Sequence, residues 1–264
     1  MSEPVTATDP VLFALVAPHV ALVTLNRPEK RNAINPATAT AMEAIVRRIE
    51  GDPEIRVVIL ASGDDRVFCA GADLSAIAAG KALGIDTANG GFAGFVYAQR
   101  TKPWIAAVEG LALAGGCEIC LACDMIVASE NARFGLPEVT RGLMAGAGGL
   151  HRLPSAMPLN IAKEIVLVGE QFDAALAHRY GLVNRLVPPG EALAVAKHLA
   201  ETIAANAPLA VQYSLSAIRA SAGQSDGGAR AVVAERFATL RRSEDYAEGP
   251  QAFVEKRAPV WKGR

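Results

Sequence analysis

The chain has 264 residues, of which 51% are hydrophobic and 20% charged. Such a chain buries a sizeable core, which excludes intrinsic disorder. Its formal net charge of −1 excludes a generally basic nucleic-acid binder and leaves room for a local basic patch facing an anionic ligand.

The first residues, Met1-Ser2-Glu3-Pro4-Val5-Thr6, show no basic stretch followed by an apolar one. No signal peptide is expected there, and a cytoplasmic protein is. Val11–Val16 and Val20–Leu25 are β-rich runs around Ala17-Pro18-His19, which predicts a hairpin. A polar loop, Asn26-Arg27-Pro28-Glu29-Lys30-Arg31-Asn32, follows. Pro36 opens a helix with apolar positions at Met42, Ile45, Val46 and Ile49, closed by Gly51-Asp52-Pro53. Val57–Leu60 is wholly apolar and reads as a buried strand. Beyond a loop at Asp64-Asp65-Arg66 comes Phe68-Cys69-Ala70-Gly71-Ala72-Asp73. Leu74–Gly94, rich in Ala and Gly, reads as a mobile helix-and-loop segment, and Phe92–Gln99 as helix. Trp104–Val108 and Asp124–Ala128 read as strands with a small-residue turn and a helix between them, and Phe134–Glu138 as a loop. After Glu191 the pattern becomes helical, over Ala192–Ala205, Leu209–Ala220 and Ala229–Arg241. The expected organisation is an α/β core over residues 1–190 and a helical C-terminal subdomain over 191–264.

The most apolar stretch, Trp104–Ala128, is interrupted by Glu109, Glu118 and Asp124. A membrane span tolerates such carboxylates badly, so the stretch reads as buried core. Cys117, Cys120 and Cys123 have the spacing of part of an iron–sulfur site, but no fourth cysteine lies nearby in sequence. Cysteines three apart share one helix face, so we read them as small buried apolar residues and expect no metal. The four histidines are scattered without metal-ligand spacing.

Four segments have the make-up of reactive sites. In Leu113-Ala114-Gly115-Gly116-Cys117-Glu118, paired glycines let backbone approach a ligand, and the N–H groups of a helix start can stabilise negative charge. Glu118 falls on the first turn of that helix; an isolated buried carboxylate is costly. A helix-dipole partner or a salt-bridged structural glutamate fits the same residues, and this stretch alone leaves the choice open. Glu138, behind the stiffening Pro137, is by itself an ordinary loop or N-cap carboxylate. In Phe68–Leu74, small residues after an apolar strand expose backbone N–H groups, and Asp73 is placed to cap a helix. Gly146-Ala147-Gly148-Gly149 lacks the surroundings of a dinucleotide or Walker loop.

Taken in order, several stretches resemble the crotonase (enoyl-CoA hydratase/isomerase) superfamily. They are Asn26-Arg27-Pro28 with Asn32-Ala33-Ile34-Asn35, Phe68–Leu74, Ile105–Gly110 with Gly115–Glu118, Cys123-Asp124, Phe134–Glu138, Gly146–Gly149 and Phe253–Arg257. The resemblance implies a spiral of ββα turns with a C-terminal helical trimerisation region, assembling as a homotrimer or a dimer of trimers. It implies that the N–H groups of Ala72 and Gly115 form an oxyanion hole for a thioester carbonyl. Ala70, Asp73 and Leu74 would lie along the coenzyme A arm. Arg31, Asn32 and Ala33 would line its other side, and Phe253 and Lys256 would approach the CoA site. Both carboxylate positions of the family's hydratases are glutamates here, Glu118 and Glu138. The resemblance thus implies a hydro-lyase acting on 2-enoyl-CoA thioesters. Glu118 would activate water at Cβ, Glu138 would protonate Cα, and no cofactor is called for beyond the CoA of the substrate. Ala145 departs from the proline of many hydratases, and Ser75 from the lysine that some have next to the CoA arm. Gly90–Gly94 with Arg152-Leu153-Pro154 is similar to the crotonobetainyl/carnitinyl-CoA branch. Δ3-Δ2 isomerisation and carnitinyl-CoA chemistry remain alternatives, and a non-catalytic CoA-ester or RNA-binding protein is the reading of another class.

Overall fold

A computed structural model describes residues 9–73 and 84–264. Among the described residues twelve strands form, in chain order β1 (Val11–Ala17), β2 (Val20–Leu25), β3 (Val57–Ser62), β4 (Val67–Cys69), β5 (Asp86–Thr87), β6 (Gly91–Phe92), β7 (Trp104–Val108), β8 (Leu111–Leu113), β9 (Met125–Ser129), β10 (Arg133–Gly135), β11 (Phe172–Asp173) and β12 (Arg185–Val187). The helices among the described residues are α1 (Pro36–Gly51), α2 (Gly115–Ala122), α3 (Gly149–Ala156), α4 (Leu159–Val168), α5 (Ala174–Arg179), α6 (Ala192–Ala204), α7 (Pro208–Ser221), α8 (Asp226–Leu240) and α9 (Glu244–Glu255).

The larger sheet runs β1-β2-β3-β7-β9-β12, and the smaller runs β11-β10-β8-β4. The β1–β2 hairpin is antiparallel, and every later pairing in the larger sheet is parallel. Each turn of the chain lays one strand in the larger sheet and the next in the smaller, as β3 then β4, β7 then β8, and β9 then β10. After β8 the chain enters α2. This is the expected ββα spiral.

The central strands are apolar without alternation because both faces of the sheet are covered. Val58, Leu60, Ala106 and Val108 point into one core with Met42, Phe68, Cys117 and Phe134. Their neighbours Val57, Ile59, Ile105 and Ala107 point to the other face. There they meet Ala192, Ala196, Ala200 and Ala204 of α6, a stripe of small side chains that lets the helix lie close. The carboxylate of Glu109 accepts from the N–H groups of Gly190 (2.9 Å) and Ala192 (2.7 Å), fixing where α6 starts. Lys102, 3% exposed, closes the other end of α1, its Nζ donating to the carbonyls of Ile49 and Asp52.

Two expectations from sequence are overturned. Phe92–Gln99 is not a helix: β5 and β6 form a small antiparallel ribbon, and the chain then turns through Ala93 (φ 60) and Gly94 (φ 65). The cause is tertiary, because at Gly94 the chain presses against α1, where a Cβ would lie 2.3 Å from the Ala39 carbonyl oxygen. Phe134–Glu138 is not wholly a loop either. Its start is β10, recruited between β8 and β11, and Glu138 opens a 3₁₀ turn to Arg141. Helix α9 had no counterpart in the expected elements. Leu74 and the 74–83 part of the expected helix-and-loop segment lie outside the described residues.

Candidate active site

The C-terminal ends of β4 and β8, the start of α2, the Glu138–Arg141 turn and the 142–147 loop surround one cavity of about 920 Å³. Glu118, Glu138, Ala72, Gly115, Ala70 and Arg31 all line it. These six came from distant parts of the sequence, and the fold brings them to one space.

The wall at the start of α2 follows from two glycines that permit close approach. Gly71 has φ +92, and a Cβ there would lie 3.0 Å from the Gly115 nitrogen and 2.9 Å from the Ala114 Cβ. The 70–73 segment therefore runs directly against the start of α2. It is pinned there by Ile34 N–H to Gly71 O (2.8 Å), Asp73 N–H to Ile34 O (2.9 Å) and Ala70 N–H to Arg31 O (3.1 Å). Ala114 precedes the helix with φ 50 and ψ −127, a conformation costing an alanine about 1–3 kcal/mol. That turn starts α2 abruptly and leaves the Gly115 N–H without an intrahelical acceptor. At Gly116 a Cβ would lie 2.0 Å from the Cys69 carbonyl oxygen. Gly116→Ala is expected to lower stability by about 1–3 kcal/mol, measured by urea unfolding, and to abolish turnover in the molecules that remain folded.

Glu118 is 3% exposed, and its Oε1 accepts from the Gly149 N–H at 2.9 Å. Burial pushes its carboxyl up to about 7, and the nearby Glu138 adds to this, against the N–H groups of Gly149 and Ala147 and the Arg152 guanidinium. Glu138 is half-buried, its Oε2 enclosed without a hydrogen-bond partner among the described residues. Burial raises its carboxyl too, opposed by its own backbone N–H and by Arg141. Two carboxyls held toward the neutral form on one cavity wall can exchange protons with a bound molecule near neutral pH.

The other expected residues lie off the cavity wall. Asn32 is 2% exposed and serves the scaffold: its Oδ1 accepts from Arg27 N–H (2.7 Å), while its Nδ2 donates to Ser62 Oγ (2.8 Å) and Phe68 O (3.0 Å). Ala33 gives its carbonyl oxygen to the Arg27 guanidinium, and Asp73 faces the same guanidinium at 3.7 Å. Phe253 (85% exposed) and Lys256, at the end of α9, do not line the cavity. The wall also includes Phe92, Tyr97, Asp86, Arg141 and Met144, which sequence reasoning missed. The Gly146–Gly149 stretch was visible as a glycine cluster, but its use as a clamp on Glu118 was not.

Among the described residues no group of three His, Cys, Asp or Glu side chains is placed to hold a metal, and no helix is long and apolar enough to cross a membrane. Cys117 and Cys120 are fully buried, and burial pushes the Cys117 and Cys123 thiols up to about 12. They are inert packing groups.

This spiral with a carboxylate-lined cavity beside a helix start defines a protein of the crotonase fold. The family model for enoyl-CoA hydratase/isomerase matches residues 17–264, and the chain belongs to that family. It is 43% identical to a carnitinyl-CoA dehydratase of Salmonella typhi over 247 residues, covering 92% of this chain and 94% of that one. Among solved structures it resembles an enoyl-CoA hydratase from Mycobacterium tuberculosis H37Rv (TM-score 0.92, 43% identity, 97% of this chain and 100% of that one). It also resembles a carnitinyl-CoA hydratase from Mycobacterium avium (TM-score 0.77, 44% identity, 97% and 99%).

Proposed function

We propose that the chain is a hydro-lyase that adds water reversibly across the α,β-double bond of a 2-enoyl-CoA thioester. The carrying observation is the placement of Glu118 and Glu138, both buried toward neutrality, on one cavity wall beside the Gly115 N–H. In the scheme, the thioester oxygen accepts from the Ala72 and Gly115 N–H groups. Water attacks Cβ while Glu118 takes its proton, and the π pair moves onto the thioester as an enolate. Two preorganised donors stabilise that charge, each worth about 3 kcal/mol in comparable sites. Glu138 then delivers a proton to Cα, completing the addition of one water, and the pair redistributes its protons with solvent. CoA belongs to the substrate, and the scheme calls on no separate cofactor.

The reading includes the assembly and the CoA arm. The 191–264 region would act as the oligomerisation subdomain of a trimer or dimer of trimers in the cytoplasm. Phe253 and Lys256 would approach a CoA site within that assembly, while Asn32, Ala33 and Asp73 would shape the loops along the arm.

A second reading, hydration of crotonobetainyl-CoA, is supported by Asp86. It pairs with Phe92 across the β5–β6 ribbon, and both reach the cavity together with Tyr97. A carboxylate beside aromatic rings suits a quaternary ammonium on the acyl group. The test is a panel of crotonyl-CoA, longer 2-enoyl-CoAs and crotonobetainyl-CoA, followed by loss of enoyl absorbance and by product mass. A gain of one water by at least one ester is expected, and Asp86→Asn should weaken only the cationic ester. Isomerisation without water gain, or no turnover of any ester, overturns the hydro-lyase reading.

A further inference from the structure

The loop that holds Glu118 is itself held by the side chains of Arg152 and Tyr97. Arg152, in α3, donates from Nη2 to Val96 O at 2.5 Å and from Nη1 to Ala147 O at 3.2 Å. Its guanidinium carbon lies 5.2 Å from the centroid of the Tyr97 ring. The Tyr97 hydroxyl in turn donates to Gly146 O at 3.1 Å. At Gly148 (φ 111) a Cβ would lie 2.0 Å from Arg152 Nη1, so the guanidinium is packed onto the loop backbone. The next residue, Gly149, carries the N–H that binds Glu118 Oε1.

We propose that Arg152 is a positioning residue for hydration: it braces the Gly146–Gly149 loop against the Val96–Tyr97 wall, aims Glu118 at Cβ, and supplies the positive charge that favours the ionised, base-competent carboxylate. This rests on Glu118 being the base that activates water.

The charges around the pair fit this role. Glu118 is faced by Glu138, which opposes its ionisation, and by Arg152 and the Gly149 and Ala147 N–H groups, which favour it. Arg141 faces Glu138. Arg152 is also faced by Tyr97 and Cys123, and Arg100 and Arg219 carry further positive charge near Cys123. The Cys123 thiol is pushed up to about 12 and is neutral at pH 7. His151 stacks on Tyr97 with ring centroids 6.4 Å apart, and burial followed by the Arg152 charge lowers its pKa, which favours the neutral ring. Glu118 is the carboxylate the Arg152 charge acts on.

The test compares the wild type with Arg152→Gln and Arg152→Lys. It uses the pH profile of kcat/KM for whichever ester turns over, together with a ¹³C NMR titration of the Glu118 carboxyl, identified by its loss in Glu118→Gln. In Arg152→Gln, kcat should fall about 10- to 100-fold with KM nearly kept, and the Glu118 titration should move up. Arg152→Lys should titrate like the wild type and recover part of kcat. A Glu118 titration unmoved in Arg152→Gln, or moved equally in Arg152→Lys, overturns the proposal. If Arg152→Gln does not fold, Arg152→Lys decides: wild-type titration with lowered kcat supports the brace, and a loss confined to KM overturns it. Full turnover by Glu118→Gln would refute the base reading separately, while the NMR shift still tests the charge.

Discussion

Glu118→Gln and Glu138→Gln are each expected to lower kcat/KM for enoyl-ester hydration by about 10²- to 10⁴-fold. Glutamine keeps the size of the side chain and, at position 118, keeps an oxygen to accept from the Gly149 N–H, so the cavity wall should survive. What disappears is the proton exchange. The two losses should not add in the double variant, because water activation and Cα protonation belong to one coupled addition. Stopped-flow measurement of enoyl absorbance, with circular dichroism to confirm folding, checks this. Turnover that persists in the double variant would show that neither carboxyl carries the chemistry.

The same residue should trade stability for activity. Burial holds the Glu118 carboxyl at about 7 in the folded chain, against 4.5 as the ordinary value. The folded state therefore holds a proton that the unfolded chain has released between those two values. The stability this gives is fully present below about pH 4.5 and is lost as pH rises through about 7. Above pH 7 the ionised carboxylate costs about 3 kcal/mol, taking 1.36 kcal/mol per pH unit. Glu118→Gln never ionises and should be more stable than the wild type by up to that amount at pH 8, with the gap closing toward pH 5. Urea unfolding at the two pH values measures it. A wild type as stable as the variant at pH 8 would mean that the fold stabilises the carboxylate despite its burial. Glu138 should show the same sign, since burial raises it as well.

Much of the fold could be read in advance because its signals are local. The β1–β2 hairpin, α1 opened by Pro36, the apolar β3 and β7, and helices α6 and α7 appear within a residue or two of where hydrophobic period and turn residues put them, while α8 starts three residues earlier than expected, at Asp226. The errors fall where a tertiary contact outweighed local preference. Phe92–Gln99 reads as helix from sequence, but Gly94 lies against the Ala39 carbonyl, and the chain turns instead. Two residues of the 134–138 loop region, Phe134 and Gly135, joined a strand because β8 and β11 offered edges to pair with.

The amino-acid order by itself determined which groups are available: two glutamates amid apolar neighbours, paired glycines at a helix start, and an ordered set of motifs that named the family. These survive without coordinates because each depends on residue type and near spacing. Only the folded chain decided which groups meet. It put Glu118 and Glu138 on one wall, turned Asn32 into a buried strut, and passed the glycine-rich loop to Glu118 as a clamp tied down by Arg152. The physical reason is that desolvation and hydrogen-bond geometry depend on distances across the spiral, between residues 20 to 60 positions apart in the chain, and no local pattern encodes those distances.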